Sequence, residues 1–301
     1  MPVRDAGAVE ALGALPDPLV AAFALVTLLG DVAAYFLVFS VLYWLGDRTP
    51  FVGDRLDREL IVQIVALGFV ALALVTLLKH VFTLPRPPGA DTPIAVTGVP
   101  DALRPLVSDA SVDDGYGFPS GHAIGSTVVY GGLGWLVSGT GDRRPLYVGA
   151  TLAALVSLSR VVVGVHYLGD VLAGVALGVA LLFLATRYLS TPGRSFPAAG
   201  ALAAVGLVAV GPTEYLLFGL GASLGATAAW VSLRDRIPIT ARSGREALVT
   251  AVSGILVVGG LLAVVATLDL AALGTVLAIG VVLAALVAVP VAGARLDAAL
   301  G

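Results

Sequence analysis

Apolar runs as long as a bilayer is thick follow one another almost from end to end of this chain, and that feature constrains its fold more than any other. A spanning helix needs about 20 apolar residues, and nine segments of suitable length can be read at 19–45, 59–82, 120–138, 145–163, 167–189, 197–212, 213–233, 247–267 and 270–292. Hydrophobic residues make up 58% of the 301 and charged residues 12%, with a mean hydropathy of +1.00, which excludes a water-soluble globular protein. The expected fold is therefore all-α: a polytopic transmembrane helix bundle of about nine spans, a five-helix core plus four C-terminal helices. The absence of cysteine removes disulfide scaffolds, thiol nucleophiles and cysteine metal sites. A net charge of -3 gives no basic surface for nucleic acid.

Charge placement sets the expected topology. Read as a single helix, 196–233 would be about 55 Å long, far more than a hydrocarbon core, so Pro212 is expected to mark a hairpin. With the N-terminus outside, twelve of the seventeen basic residues then fall in inner loops, as the positive-inside tendency requires. Three organisational regions follow: an external segment 1–18, a core bundle 19–190 with an external loop 83–119, and a C-terminal membrane region 191–301. Asp5, Glu10 and Asp17 stand against Arg4 with no short apolar core and cleavage site, so no signal peptide is read and the first hydrophobic segment is expected to stay. Gly30 and Asp31 interrupt that segment, leaving either a tilted helix or an interfacial approach to a shorter span. No repeat relates the two helix groups, so the inverted-repeat sign of many transporters is missing.

Polar residues in such a chain are costly and carry functional expectations. Here they cluster at span ends: Lys79 and His80 close the second span, Arg86-Pro87 open the loop, and Pro119-Ser120-Gly121-His122 open the third span. Ser159-Arg160 close the fourth span, and His166 and Asp170 open the fifth. The topology sends all of them to the outer face. Lys79 is the only lysine, and with Arg86 and Arg160 it supplies three cations, enough to neutralise a dianionic phosphoryl group. Ser120 is expected as an N-cap that leaves the backbone N–H groups of Gly121 and His122 pointing at an anion, with glycine permitting close approach. His166 and Asp170 are four apart, on one helix face if the fifth span starts early enough, so the carboxylate would orient a nucleophilic imidazole. His122, from another helix, has the ordinary imidazole range that suits a general acid.

These residues resemble the type 2 phosphatidic acid phosphatase superfamily, the lipid phosphate phosphatases related to vanadium haloperoxidases. Its signature KxxxxxxRP, PSGH and SRxxxxxHxxxD is unbroken here, from Lys79 through Arg86-Pro87, Pro119 to His122, and Ser159-Arg160 through His166 to Asp170. Eleven fixed positions make a chance match on the order of 10⁻⁷. The resemblance covers about 24–189 and implies a phosphohistidine on His166, oriented by Asp170, with His122 protonating the leaving group. It implies that Lys79, Arg86, Ser120, Gly121 and Arg160 hold the phosphoryl oxygens, with no metal and no cofactor. The implied activity is hydrolysis of a lipid phosphate or polyprenyl diphosphate, the latter favoured, at the outer face of a prokaryotic plasma membrane. Lysine depletion fits a haloarchaeal or other high-GC prokaryotic source. Only one span precedes the Lys79 helix where two are usual, and the four C-terminal helices carry no recognised motif.

Blander expectations stand beside these. His80 lies about 100° around the helix from Lys79 and reads as packing. Asp31 reads either as a neighbour of the outer site or as a cross-helix pair, the latter favoured, and Asp113 and Asp114 read as part of a solvated acidic loop. The spacings Gly174 to Gly178 and Gly221 to Gly225 suggest close helix packing, and a homodimer through the C-terminal helices is entertained. The alternatives to a hydrolase are a phosphotransferase that uses the same phosphohistidine and a transporter or scramblase. Against transport, the charges sit at one surface rather than near the bilayer midplane.

Overall fold

The computed structural model describes residues 6–49, 55–138 and 141–299, and among them it is all-helical. The helices are α1 (Ala6–Gly13), α2 (Asp17–Thr27), α3 (Val32–Leu45), α4 (Arg58–Phe82), α5 (Arg104–Ala110), α6 (Gly121–Ser126), α7 (Gly132–Val137), α8 (Arg144–Val162) and α9 (Leu168–Tyr188). After them come α10 (Pro192–Val210), α11 (Glu214–Leu233), α12 (Gly244–Ala266) and α13 (Ala272–Ala299). Seven of these are long and apolar enough to cross a bilayer: α4, α8, α9, α10, α11 with its last turn, α12 and α13.

The two other expected spans take different forms. Segment 120–138 is one uninterrupted helical run, α6, a π-helical turn Thr127–Gly131, and α7, about 25 Å long. Segment 19–45 is not a single helix. It stops at Thr27, tightens through a 3₁₀ turn Leu28–Gly30, extends at Asp31 and restarts at Val32. Gly30 lets the break lie directly against its neighbours, because a Cβ on it would collide with the His122 ring and with Val156 Cγ1. The Pro212 hairpin forms as expected, with Gly211 at φ +85° ending α10 and Thr213 Oγ accepting from Leu216 N to start α11.

The chain divides into two compact units, one of Met1–Tyr35 with Val75–Phe183, the other of Phe36–Leu74 with Leu184–Gly301. In the first, α8 touches α1, α2, α6 and α7. The stretch expected as an external tail is partly folded: α1 packs Ala8, Val9 and Leu12 onto Ala123, Val161 and Val171. Gly174 and Gly178 let α9 lie directly on α6, since Cβ atoms there would fall 2.7 Å from Ser120 O and 2.7 Å from Thr127 Cβ.

In the second unit, α11 packs on α10 and α13, and α12 packs on α13. Gly221 and Gly225 face the carbonyls of Val276 and Gly280 so closely that neither could carry a side chain. That small-residue face is used within the chain, and the homodimer entertained through the C-terminal helices has no support. Arg58 is buried and donates to the carbonyls of Tyr43, Trp44 and Pro238, capping the end of α3.

The glycine contacts yield a stability prediction. Gly174→Ala should destabilise the protein by about 1–3 kcal/mol through overpacking. Gly260→Ala, in α12 with nothing within 4 Å of the added carbon, should be neutral or stabilise by up to ~1 kcal/mol. Unfolding of both variants by denaturing detergent measures the difference, and equal midpoints would contradict the packing described.

Candidate active site

The site is assembled within the first unit from four helix ends and one loop. Its central turn is fixed by how α8 stops. Gly164, at φ +79°, donates to Val161 O, and Val165 N donates to Arg160 O, both at 3.1 Å, which is a Schellman ending. His166 N also donates to Arg160 O at 3.1 Å, so the residue carrying the imidazole is tied to the residue carrying the guanidinium.

Helix α9 begins at Leu168, so His166 precedes it and does not share a helix face with Asp170 as expected. Their proximity has another origin. Asp170 is the third residue of α9, and its Oδ2 accepts from Tyr167 N at 3.0 Å, the acidic half of a capping box. The same oxygen lies 3.5 Å from His166 Nδ1, an ion-pair separation without hydrogen-bond alignment. Asp170 O accepts from Ser120 N at 3.0 Å and thereby fixes the start of α6.

Arg86 defines the imidazole's protonation. Its Nη1 donates to Val165 O and meets His166 Nε2, each at 3.0 Å. A guanidinium can only donate, so Nε2 must present its lone pair and the ring proton resides on Nδ1, toward Asp170. Burial first, and then the cations of Arg86, Arg160 and Lys79, hold the His166 imidazole well below its ordinary range. The result is a neutral, buried imidazole whose unprotonated nitrogen meets Arg86 and faces a cluster of cations.

Arg160 is 3% exposed in its side chain and Arg86 5%. Arg160 Nη1 donates to Thr27 Oγ1 at 2.8 Å, and Arg86 Nε donates to Asp114 O at 2.8 Å. Lys79, at the end of α4, is within electrostatic reach of Arg86, Arg160, Asp113 and Asp114. Ser120 stands at the N-cap position but makes no side-chain capping bond, and its buried Oγ has no partner. A Cβ on Gly121 would meet only Val75 Cγ1, at 4.0 Å, which leaves that helix N-terminus open. Arg160 Nε and Arg86 Nη2 likewise make no hydrogen bond. Buried donors without partners, on residues that the fold gathers with His166 at these helix ends, suit a tetrahedral oxyanion.

Two acidic residues meet charged or titratable side chains of the site, Asp31 as a cross-helix pair in keeping with the sequence and Asp113 against it. Asp31 does pair across helices, but its partner is His122, whose Nε2 lies 3.1 Å from Asp31 Oδ1. Asp113 is not a solvated loop carboxylate. Its oxygens lie 2.8 Å from Arg86 Nη2 and 2.7 Å from Arg160 Nη2. Loop 83–119 brings it there by folding inward. Val99, Val107 and Ala110 join a buried cluster with Ala21, Ala24, Val163 and Val165, and Gly117 N donates to Leu84 O. The apolar positions of α5 were the signal that this loop has an inner face. His80 keeps the packing role expected of it, bonding Thr76 O at 2.8 Å and meeting the Tyr116 ring edge-on.

Comparison with known proteins follows the same segment. Residues 59–194 match the PAP2 superfamily. Over 88 residues the chain is 36% identical to phosphatidylglycerophosphatase B of Bacillus subtilis (strain 168), covering 27% of this chain and 41% of that one. Over 172 residues it is 29% identical to sphingosine-1-phosphate phosphatase 1 of Mus musculus, covering 56% of this chain and 34% of that one. The chain thus spans less than half the length of either relative. No solved structure matches it.

The protonation argument is directly measurable because the chain has three histidines. In ¹⁵N-histidine spectra of the protein in micelles, the resonance lost in His166→Gln should stay neutral, with its proton on Nδ1, well below pH 6.5. A midpoint at or above the ordinary value of about 6.5 would contradict the cation cluster described.

Proposed function

We propose, from the match of residues 59–194 to the PAP2 superfamily and from the geometry of the site, that the chain is an integral membrane phosphatase that removes the phosphate from a lipid phosphate monoester at the outer membrane face. The observation that carries this reading is the unprotonated Nε2 of His166, held 3.0 Å from Arg86 Nη1 among buried, partly unpartnered donors. A phosphorus placed against Nε2 would have its oxygens met by Lys79, Arg86, Arg160, Ser120 Oγ and the N-terminus of α6. Those groups neutralise the developing charge, so the mechanism assigns no role to a metal.

In the first step the Nε2 lone pair forms a bond to phosphorus while the bond to the lipid oxygen breaks. His122 gives its proton to that oxygen, and the lipid leaves as an alcohol. In the second step His122 takes a proton from water, the water oxygen bonds to phosphorus, and the P–N bond returns its electrons to Nε2. Inorganic phosphate leaves, and both imidazoles regain their starting states. Asp170 steadies the Nδ1 proton as Nε2 becomes phosphorylated, and Asp31 steadies the His122 cation.

The two relatives are named for phosphatidylglycerophosphate and sphingosine-1-phosphate, each of which ends in a phosphate monoester, and this favours a monoester over the polyprenyl diphosphate expected from the sequence. The outer-face assignment rests on the distribution of basic residues, and a plasma membrane of a prokaryote is its setting.

The test is phosphate release by the purified protein in a phosphate-free detergent with EDTA. Phosphatidylglycerophosphate, sphingosine-1-phosphate, phosphatidic acid, a polyprenyl diphosphate and a water-soluble ester serve as substrates. Release from a lipid monoester that survives EDTA and falls to background in His166→Ala is expected. Release from none of them by folded protein, or undiminished release by the variant, would overturn the reading. Asp31→Asn should lower kcat by about tenfold or more, as expected when a general acid loses its partner, with KM little changed. An unchanged kcat would remove Asp31 from the mechanism.

A further inference from the structure

We propose that Asp113 is an exchangeable internal anion: it occupies the phosphoryl position in the resting site, yields it to substrate, and returns as inorganic phosphate leaves. The inference rests on the reading of Arg86, Arg160 and His166 as a phosphoryl site, and it adds a residue that the signature does not contain.

The geometry carries it. One carboxylate oxygen of Asp113 lies 2.8 Å from Arg86 Nη2, and the other lies 2.7 Å from Arg160 Nη2. That second oxygen is 4.0 Å from His166 Nε2. An attacking nitrogen must come within about 3–3.5 Å of the phosphorus, and the phosphoryl oxygens extend beyond that. Substrate phosphate and the Asp113 carboxylate therefore claim the same volume and the same two guanidinium groups.

The surrounding donors indicate which anion the pocket fits better. A planar carboxylate reaches the two arginines and leaves Ser120 Oγ and Arg160 Nε without partners, and it leaves Arg86 Nη2 close but unaligned. A tetrahedral group with three terminal oxygens has an acceptor for each. Asp113 is thus adequate to neutralise two buried cations but incomplete as a ligand.

Asp113 is also placed to move. Its side chain is 26% exposed where its partners are nearly buried. It follows the end of α5 and precedes Gly115, at φ +67° with open space around it, in the segment that returns to Pro119. The Asp113 N–H donates to Ala90 O, and Asp114 O holds Arg86 Nε, so the backbone on both sides is anchored to the loop and to Arg86. A change of side-chain rotamer suffices to vacate the site, without disturbing the apolar cluster beneath the loop.

Such an anion weakens the binding of every oxyanion by the free energy of its own ion pairs, and that includes the product. Its benefit is release: the carboxylate re-enters as phosphate departs and keeps two buried guanidiniums from being left unpaired.

The experiment is calorimetric titration of inorganic phosphate into the full-length protein in phosphate-free detergent, with Asp113→Asn and Arg160→Gln beside it and folding checked by circular dichroism. Asp113→Asn should bind phosphate about tenfold more tightly or better, which corresponds to losing a charge-assisted competitor. Phosphate should become a correspondingly stronger product inhibitor. If Asp113 only holds the arginines in place, the same variant binds phosphate equally or more weakly, and the proposal is overturned while the site stands. If Arg160→Gln binds phosphate as the wild type does, the phosphoryl-site reading fails and takes the proposal with it. Asp113→Ser, smaller and uncharged, must agree with Asp113→Asn, and disagreement between them also overturns the proposal.

Discussion

Two buried guanidinium groups beside a neutral imidazole are the arrangement on which the rest of this site depends. Neither Arg86 nor Arg160 can remain charged in that setting without an anion, because removing an ion from water costs several kcal/mol unless it is paired. The fold meets the requirement with Asp113. The same two cations, with burial, keep His166 unprotonated, and Arg86 orients its lone pair. Cations that would favour an oxyanion thus also keep the proposed nucleophile neutral, and in the proposed mechanism charge neutralisation and nucleophile activation are one electrostatic arrangement.

The helices serve this arrangement through their ends. Helix α8 delivers Arg160 and then turns at Gly164, which places His166 over it. The first turn of α9 supplies Asp170, which caps its own helix, approaches His166 and holds Ser120 through its carbonyl. Gly174 and Gly178 let α9 approach α6 closely enough for that last contact. The break at Gly30 and Asp31 brings a carboxylate to His122. Each local device is ordinary helix chemistry, and the active-site geometry results from their meeting at one level.

Much of this was legible in the sequence, for identifiable reasons. Helix ends are marked by local signals, so Lys79, Arg160 and Ser120 were read at their observed places, and the glycine pairs at 174/178 and 221/225 announced close packing that the structure contains. What local signals do not show is which partner a group meets when that partner is remote in sequence. Asp113 has no periodicity to betray it, and its role depends on a loop folding back over residues 47 positions away. Asp31 faces a residue 91 positions away. Ser120 was read correctly as a cap position, but whether its hydroxyl caps or stays free depends on the site around it. The pairing of His166 with Asp170 was anticipated from the wrong geometry, because the i, i+4 spacing works here through a turn and a capping carboxylate rather than one helix face.

The central claim is that His166 Nε2 takes the phosphoryl group. Rapid mixing of the protein with a ³²P-labelled lipid phosphate monoester, quenching in alkali and mapping of the labelled peptide tests it most directly. A transient, alkali-stable and acid-labile label on His166 is expected, formed and lost at least as fast as steady-state turnover. Turnover with no label on His166 at any time, or a label that persists in His166→Ala, would contradict it.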